Sequence, residues 1–177
     1  MIGADGIVTA DVPPSGGLPG PGTMTAKATK TILYPTGWGG NIAFNKAKLN
    51  IQGDESLLES SFKLQNSAHK NAGFAINVSF VNGFTYPIMC YCTSSNGVYL
   101  KGCAEQLWKV GVCPKEQNNG QGACKNPLRA TGGQLTPDLF FAPCLDKAYV
   151  FPENDVAVSN GGCQSGTITC EILPNGL

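Results

Sequence analysis

Residues 73–92 read G-F-A-I-N-V-S-F-V-N-G-F-T-Y-P-I-M-C-Y-C, and this stretch decides the fold. Its first part alternates apolar residues with small or polar ones, as in Phe74, Ile76, Val78 and Phe80 against Ala75, Asn77 and Ser79. A period of two residues is typical of a strand with one buried face. Asn82 and Gly83 then predict a tight turn, because both tolerate a positive φ angle. The next apolar run contains Cys90 and Cys92, which lie on the same side of the chain and can form disulfides.

The composition indicates one β-rich domain with a neutral polar partner. A chain of 177 residues is long enough to bury a substantial core. Its 12 basic and 12 acidic residues cancel, which excludes the electrostatic footprint expected for nucleic acid or an anionic membrane. No apolar run approaches the roughly 20 residues that span a bilayer. We expect a soluble monomer.

The cysteines predict disulfides and therefore an oxidising compartment. Their number is even, and all lie in the second half of the chain: Cys90, Cys92, Cys103, Cys113, Cys124, Cys144, Cys163 and Cys170. Zinc favours paired C-x₂-C or Cys/His spacings, whereas the close pair here is C-x-C and His69 is the only histidine. We therefore expect four disulfides, secretion, and no metal or cofactor. No leader peptide is recognised in residues 1–9, so the mature form is expected.

Prolines and glycines predict an N-terminal arm over residues 1–28, followed by a single domain over residues 29–177. Strands are predicted at 30–34, 41–52, 56–64, 97–101, 147–151 and 166–172, in addition to the opening stretch. Residues 104–110 predict a short helix, residues 114–133 a loop, and residues 138–142 either a strand or a helical turn. Short strands, many turns and few helices favour an antiparallel sandwich.

Acidic residues are few enough to examine one by one. In residues 56–64, Leu58 alternates with Glu59, so Glu59 is presented to solvent or to a groove. Glycoside hydrolysis needs two carboxyl groups, and Asp54 and Glu55 lie nearby in the sequence, with Glu153 and Asp155 further on. The competing interpretation is that Asp54 and Glu55 cap a strand, while Glu59 simply lies on the solvent-exposed face of its strand.

Other catalytic patterns are weak or missing. The only imidazole, His69, has the surroundings of a surface loop, and no serine lies in a G-x-S-x-G elbow. No phosphate-binding glycine loop is present. Residues 77–79 form an N-glycosylation sequon inside the predicted central strand, so Asn77 either carries a glycan or lines a groove.

The chain contains the run I-N-V-S-F-V-N-G-F-T-Y-P-I, preceded by P-T-G-W-G-G-N-I and S-L-L-E-S-S-F and followed by G-C, C-P, G-A-C and A-Y-V-F-P-E-N-D. This set of motifs resembles the thaumatin-like (osmotin, pathogenesis-related class 5) family. That family reads P-x-G-W-S-G-R-I, T-L-A-E-F and D-V-S-L-V-D-G-F-N-V-P-M at the corresponding places. The resemblance covers the chain from about Tyr34 to the end. The short length and the C-x-C pair look most like the compact fungal members.

The resemblance implies a flattened antiparallel β-sandwich of about ten strands, with disulfide-stapled loops, one short helix and a reduced second lobe. It also implies how the cysteines pair. Cys113 is matched with Cys124 and Cys103 with Cys144, and then Cys92 with Cys163 and Cys90 with Cys170.

Family members carry a cleft of one arginine, one glutamate and three aspartates, linked to binding and slow hydrolysis of β-1,3-glucan and to antifungal action. When each cleft position of the family is matched individually to this sequence, the positions correspond to Asn41, Glu59, Asn77 and Asn82, and the last one to Asn154 or Asp155. Amides cannot supply the acid and base of hydrolysis, but they donate and accept hydrogen bonds. The altered cleft favours binding over cleavage.

Three functions follow from this comparison. The first is a secreted protein that binds β-glucan or a related cell-wall polysaccharide, with an antifungal or wall-remodelling role. The second is a weak endo-β-1,3-glucanase with Glu59 as general acid and Asp155 as the second carboxylate. The third is a secreted effector-type protein that binds another protein and has no carbohydrate role.

Overall fold

The alternating stretch at the centre of the sequence forms a strand that pairs with neighbours on both sides. The computed structural model describes residues 27–29, 31–33, 39–46, 51–63, 73–94, 97–133, 136–154, 157, 159–160 and 167–175. Its strands are β1 (Gly39–Phe44), β2 (Ser56–Lys63), β3 (Gly73–Ser79), β4 (Gly83–Phe84), β5 (Ile88–Ser94), β6 (Gly97–Cys103), β7 (Cys124–Lys125), β8 (Ser159–Asn160) and β9 (Thr169–Ile172). One short helix, α1 (Leu107–Val110), and a 3₁₀ turn, Ala142–Cys144, complete these elements. The described chain is therefore mostly strands in antiparallel sheets.

The first sheet has the strand order β1-β2-β3-β8, and every neighbouring pair is antiparallel. In β2, Leu57 and Leu58 point to opposite faces yet are both 8% exposed. Leu57 lies opposite Ala43 and Ser79, which are also buried, so both faces of the sheet are covered at this end. Glu59 is the next residue of that strand on the same face as Leu57, and it is only half-buried.

The prediction of a strand at residues 147–151 is wrong. The backbone N–H groups of Lys147 and Ala148 both donate to the Cys144 carbonyl, at 3.1 Å each, so the chain is turning here. Only Tyr149 makes a β-bridge, which is parallel, to Ser79. The pairing with β3 does not extend beyond Tyr149, because the turn after Cys144 uses the N–H groups of Lys147 and Ala148 that a strand would offer.

The turn predicted at Asn82 and Gly83 takes a different form. Neither residue has a positive φ angle, and Gly83 opens β4, which pairs with β7. A Cβ atom on Gly83 would collide with the backbone carbonyls of Asp54 and Cys124. Glycine is required here because two other backbone segments approach it closely, not because of a left-handed conformation.

The second sheet has the order β6-β5-β9, with β5 in the centre. The predicted strand at 97–101 is confirmed and extends to Cys103, and the strand predicted at 166–172 is observed as β9. The helix predicted over 104–110 is confirmed but covers only α1. Of the strand predicted over 41–52, residues 41–44 belong to β1, residues 45–46 and 51–52 are not in a strand, and residues 47–50 lie outside the described chain.

Phenylalanines form the centre of the core. Phe80, Phe84, Phe140 and Phe141 are at most 2% exposed. Successive rings meet edge to face, with centroids 5.1 Å apart for Phe80 and Phe84 and 5.9 Å apart for Phe84 and Phe140. Residues 138–142, predicted as strand or helical turn, form a turn that brings two of these rings inward. The opening stretch and a distant turn therefore share one apolar cluster.

Three disulfides expected from the family resemblance are confirmed: Cys90–Cys170, Cys103–Cys144 and Cys113–Cys124. Cys92 is also disulfide-bonded, and its expected partner, Cys163, lies outside the described residues. The bridges indicate an oxidising environment such as the extracellular space. The N-terminal arm predicted for residues 1–28 is outside the described chain except for residues 27 and 28.

Candidate functional site

Three predicted site residues form a row across three strands. In the antiparallel register, Asn41 of β1 lies opposite Glu59 of β2, and Glu59 lies opposite Asn77 of β3. Residues directly opposite each other on neighbouring strands project from the same face of the sheet, about 5 Å apart. We call these three residues the Asn-Glu-Asn row. All three are half-buried, so each retains some access to solvent.

Glu59 is the only ionisable group in the row. Its Oε2 accepts a hydrogen bond of 2.6 Å from Nδ2 of Asn77. Burial raises the pKa of the Glu59 carboxyl above its ordinary value, and the hydrogen bond from Asn77 partly opposes that rise. Glu59 therefore keeps its proton to a higher pH than an exposed glutamate does.

Asn82 is not part of the row. It lies in the bend between β3 and β4, five positions after Asn77 and past the last paired residue of β3. Its backbone carbonyl accepts a hydrogen bond of 3.1 Å from the N–H of Asn126, while its side chain is half-exposed. The structure thus brings Asn41 and Asn77 to Glu59 and leaves Asn82 beyond the strand end.

Asn154 is buried at 3% exposure. Its Nδ2 donates to the Ala148 carbonyl at 3.4 Å, and its own carbonyl accepts from the Ala157 N–H at 3.0 Å. These contacts place the Asn154 side chain within a turn rather than on an exposed face of the molecule. Asp155, the predicted second carboxylate, lies outside the described residues, as does His69.

Asp54 and Glu55 are occupied by other contacts. Glu55 is 1% exposed, and its carboxylate accepts hydrogen bonds from the N–H of Gln52 at 2.7 Å, the N–H of Gly53 at 2.8 Å and Nδ2 of Asn45 at 3.2 Å. Asp54 forms an ion pair of 2.7 Å with Arg129. The contacts of Glu55 agree with the interpretation that it caps the start of a strand, whereas Asp54 pairs with a distant arginine. Both acids are therefore engaged with groups other than Glu59.

Sequence reasoning did not single out Asn126, which organises the end of β3. This residue is fully buried, and its Nδ2 donates to the carbonyls of Phe80 at 2.9 Å and Val150 at 2.7 Å. Its Oδ1 accepts from the N–H of Leu128 at 2.9 Å. The Asn-Pro pair at 126–127 was the available indication, since asparagine before proline favours a turn. The role is structural, because every polar atom of the side chain is used internally.

No family model matches the chain, and a search of curated proteins returns no similar sequence. In the described ranges, no helix has the length and apolar character needed to cross a membrane. Within the same ranges, no group of three or more His, Cys, Asp or Glu side chains is arranged to hold a metal ion.

Proposed function

We propose that this protein is secreted and binds a neutral cell-wall polysaccharide, with β-1,3-glucan as the first candidate, through the Asn-Glu-Asn row. The observation that carries the proposal is the alignment of Asn41, Glu59 and Asn77 on one face of adjacent strands. Repeating polar groups along a sheet suit a ligand that is itself a repeating chain of hydroxyl groups.

The chemistry of the row matches an uncharged ligand. Each amide offers two N–H donors and one acceptor oxygen, and the carboxyl group adds acceptors. Sugar hydroxyls both donate and accept hydrogen bonds, so a mixed set serves them better than a cluster of like charges. The zero net charge of the chain also argues against an anionic polymer as the partner.

We further propose that the domain is a thaumatin-like β-sandwich of the compact fungal type, with about ten strands and a reduced second lobe. The sequence motifs support this assignment. The three bridges formed between described cysteines join the residues that the resemblance pairs. Eight cysteines can pair in about 105 ways, which makes this agreement informative.

A weak endo-β-1,3-glucanase is the second candidate, and the state of Glu59 favours it. A half-buried carboxyl with a raised pKa is suited to donate a proton to a leaving group. Hydrolysis also needs a second carboxylate. Asp54 and Glu55 are engaged elsewhere, so Asp155 would have to supply it. Binding therefore remains the preferred function.

Retention on insoluble polysaccharide tests the binding proposal. The protein should be retained on β-1,3-glucan more strongly than on cellulose or chitin, and Asn41→Ala and Asn77→Ala should each weaken retention several-fold because each removes one side chain of the row. Glu59→Gln is compared in the same retention assay with a matched control, Glu171→Gln. Glu171 is exposed on β9 in the other sheet, so its substitution should leave retention unchanged. Equal passage through all three polysaccharides would reject the proposal and favour a protein partner.

Release of reducing sugar from soluble β-1,3-glucan tests the enzyme. Activity abolished by Glu59→Gln and by Asp155→Asn, with retention on the insoluble glucan preserved, would establish the glucanase. No release of reducing sugar at any pH from about 4 to about 7 would eliminate it.

A further inference from the structure

The last strand, β9, is the most weakly attached strand of the second sheet. Among the described residues its only neighbouring strand is β5, through four register pairs from Ile88–Ile172 to Tyr91–Thr169. Thr169, Glu171 and Ile172 are exposed. One additional backbone hydrogen bond of 2.9 Å joins the Leu173 N–H to the Pro87 carbonyl.

A disulfide compensates for this weak attachment. Cys90 of β5 and Cys170 of β9 lie directly opposite each other in the ladder and are bonded. Cys170 is half-buried on the edge strand, whereas Cys90 is 2% exposed. By contrast, Cys103, Cys144 and Cys124 are fully buried and Cys113 is 9% exposed. Of the three bridges with both cysteines described, only Cys90–Cys170 includes a residue that is more exposed than this.

We propose that the Cys90–Cys170 bridge is a redox-sensitive latch for β9, which a small dithiol opens before the Cys103–Cys144 and Cys113–Cys124 bridges. A thiolate of the dithiol attacks Sγ of Cys170, giving a mixed disulfide and releasing the Cys90 thiolate. The second thiol of the reductant then displaces Cys170 and closes a cyclic disulfide. Two electrons pass to the protein, which gains two thiols, while the dithiol is oxidised. The greater exposure of Cys170 favours this order of reduction, because exchange requires access.

Opening the latch releases one edge of β5. That strand stays paired with β6 over seven register pairs, so it remains in place when β9 leaves. The backbone groups of residues 88–91 that faced β9 then become an unpaired strand edge, beside the fully buried Ile88. Unpaired edges accept an added strand, so reduction exposes a new edge on the central strand β5, to which another strand can be added.

Graded reduction of the folded protein with dithiothreitol, followed by alkylation and peptide mass mapping, tests the latch. We expect Cys90 and Cys170 to be labelled at least about tenfold faster than Cys103, Cys144, Cys113 and Cys124. Hydrogen exchange at residues 88–91 should rise in step with that labelling, while exchange in β3 should stay unchanged. Reoxidation should restore the original protection.

A double variant provides an independent readout. Cys90→Ser with Cys170→Ser should show the faster exchange at residues 88–91 without reductant, whereas Cys113→Ser with Cys124→Ser should not. Labelling of the Cys103–Cys144 or Cys113–Cys124 bridge before Cys90–Cys170 overturns the proposal. So does labelling of Cys90 and Cys170 in the wild-type protein without faster exchange at residues 88–91, and this second result does not depend on whether either variant folds.

Discussion

At the scale of single residues, Glu59 is the most informative side chain. It is half-buried in the face of the first sheet with an amide on each neighbouring strand, and one amide donates to it at 2.6 Å. Of the two opposing effects on its pKa, burial outweighs this hydrogen bond. Glu55 shows the contrasting case, a buried carboxylate that backbone N–H groups and an amide engage completely. Two glutamates four positions apart thus have different roles.

The raised pKa of Glu59 predicts a pH-dependent effect on stability. A carboxyl whose pKa is higher in the folded than in the unfolded state favours folding while it is protonated, and that contribution is lost as pH rises through the folded pKa. Glu59→Gln removes the ionisation, so the variant should gain stability relative to wild type as pH rises from about 3.5 to about 7. Urea unfolding of both proteins at each pH measures the difference. A constant or shrinking difference, or the same trend in Glu171→Gln, would contradict this account.

At the scale of elements, the short β4–β7 pair joins distant parts of the chain. Gly83 lies between the carbonyls of Asp54 and Cys124, next to the buried ring of Phe84. The N–H of Asn126 then bonds to the carbonyl of Asn82 just before the pair. A glycine in this position allows three backbone segments to approach one another.

Gly83→Ala should therefore destabilise the fold by about 1 to 3 kcal/mol, because the added methyl group meets backbone atoms that cannot rotate away. Gly132→Ala is the matched control. The nearest atom to a Cβ there is Oε1 of Glu153 at 3.9 Å, an ordinary contact, so its effect should stay within about 0.5 to 1 kcal/mol. Denaturant unfolding compares the two variants. Equal stability of both would show that the segments around Gly83 move apart easily.

The elements themselves were predicted unevenly from the sequence. The alternation around Val78 predicted β3 correctly, because that strand has one face in the core and neighbours on both sides. The same kind of pattern around Tyr149 yielded only a single bridge to β3, since Cys144 accepts the N–H groups of Lys147 and Ala148. Local residue types indicate what a strand could bury but not whether its backbone groups are already used in a turn.

At the scale of the whole molecule, disulfides connect the second sheet to the loops that follow it. Cys103 at the end of β6 is bonded to Cys144 in the 3₁₀ turn, and both are fully buried in the aromatic core. The Cys113–Cys124 bridge closes a shorter loop that leads into β7. The loop lengths of 41 and 11 residues make these bridges unequal in their effect on the unfolded chain.

Removing the longer bridge should cost more stability than removing the shorter one. In the chain-entropy model the difference between loops of 41 and 11 residues is about 1 kcal/mol, within a total of about 2 to 4 kcal/mol for each bridge. Thermal or denaturant unfolding of Cys103→Ala with Cys144→Ala, compared with Cys113→Ala with Cys124→Ala, measures this order. A larger loss from the Cys113–Cys124 variant would mean that native contacts of that loop outweigh loop closure.

The sequence by itself determined that the chain is rich in strands and cross-linked, and that Glu59 and Asn77 lie on strands. Those properties are local, because residue type, spacing and cysteine number are enough to indicate them. Only the tertiary structure decided that Asn41, Glu59 and Asn77 share one row, since strand register depends on which residues pair across the sheet. It also decided that Asn154 is buried, because the chain folds back locally and the amide donates to the carbonyl of Ala148, six residues earlier.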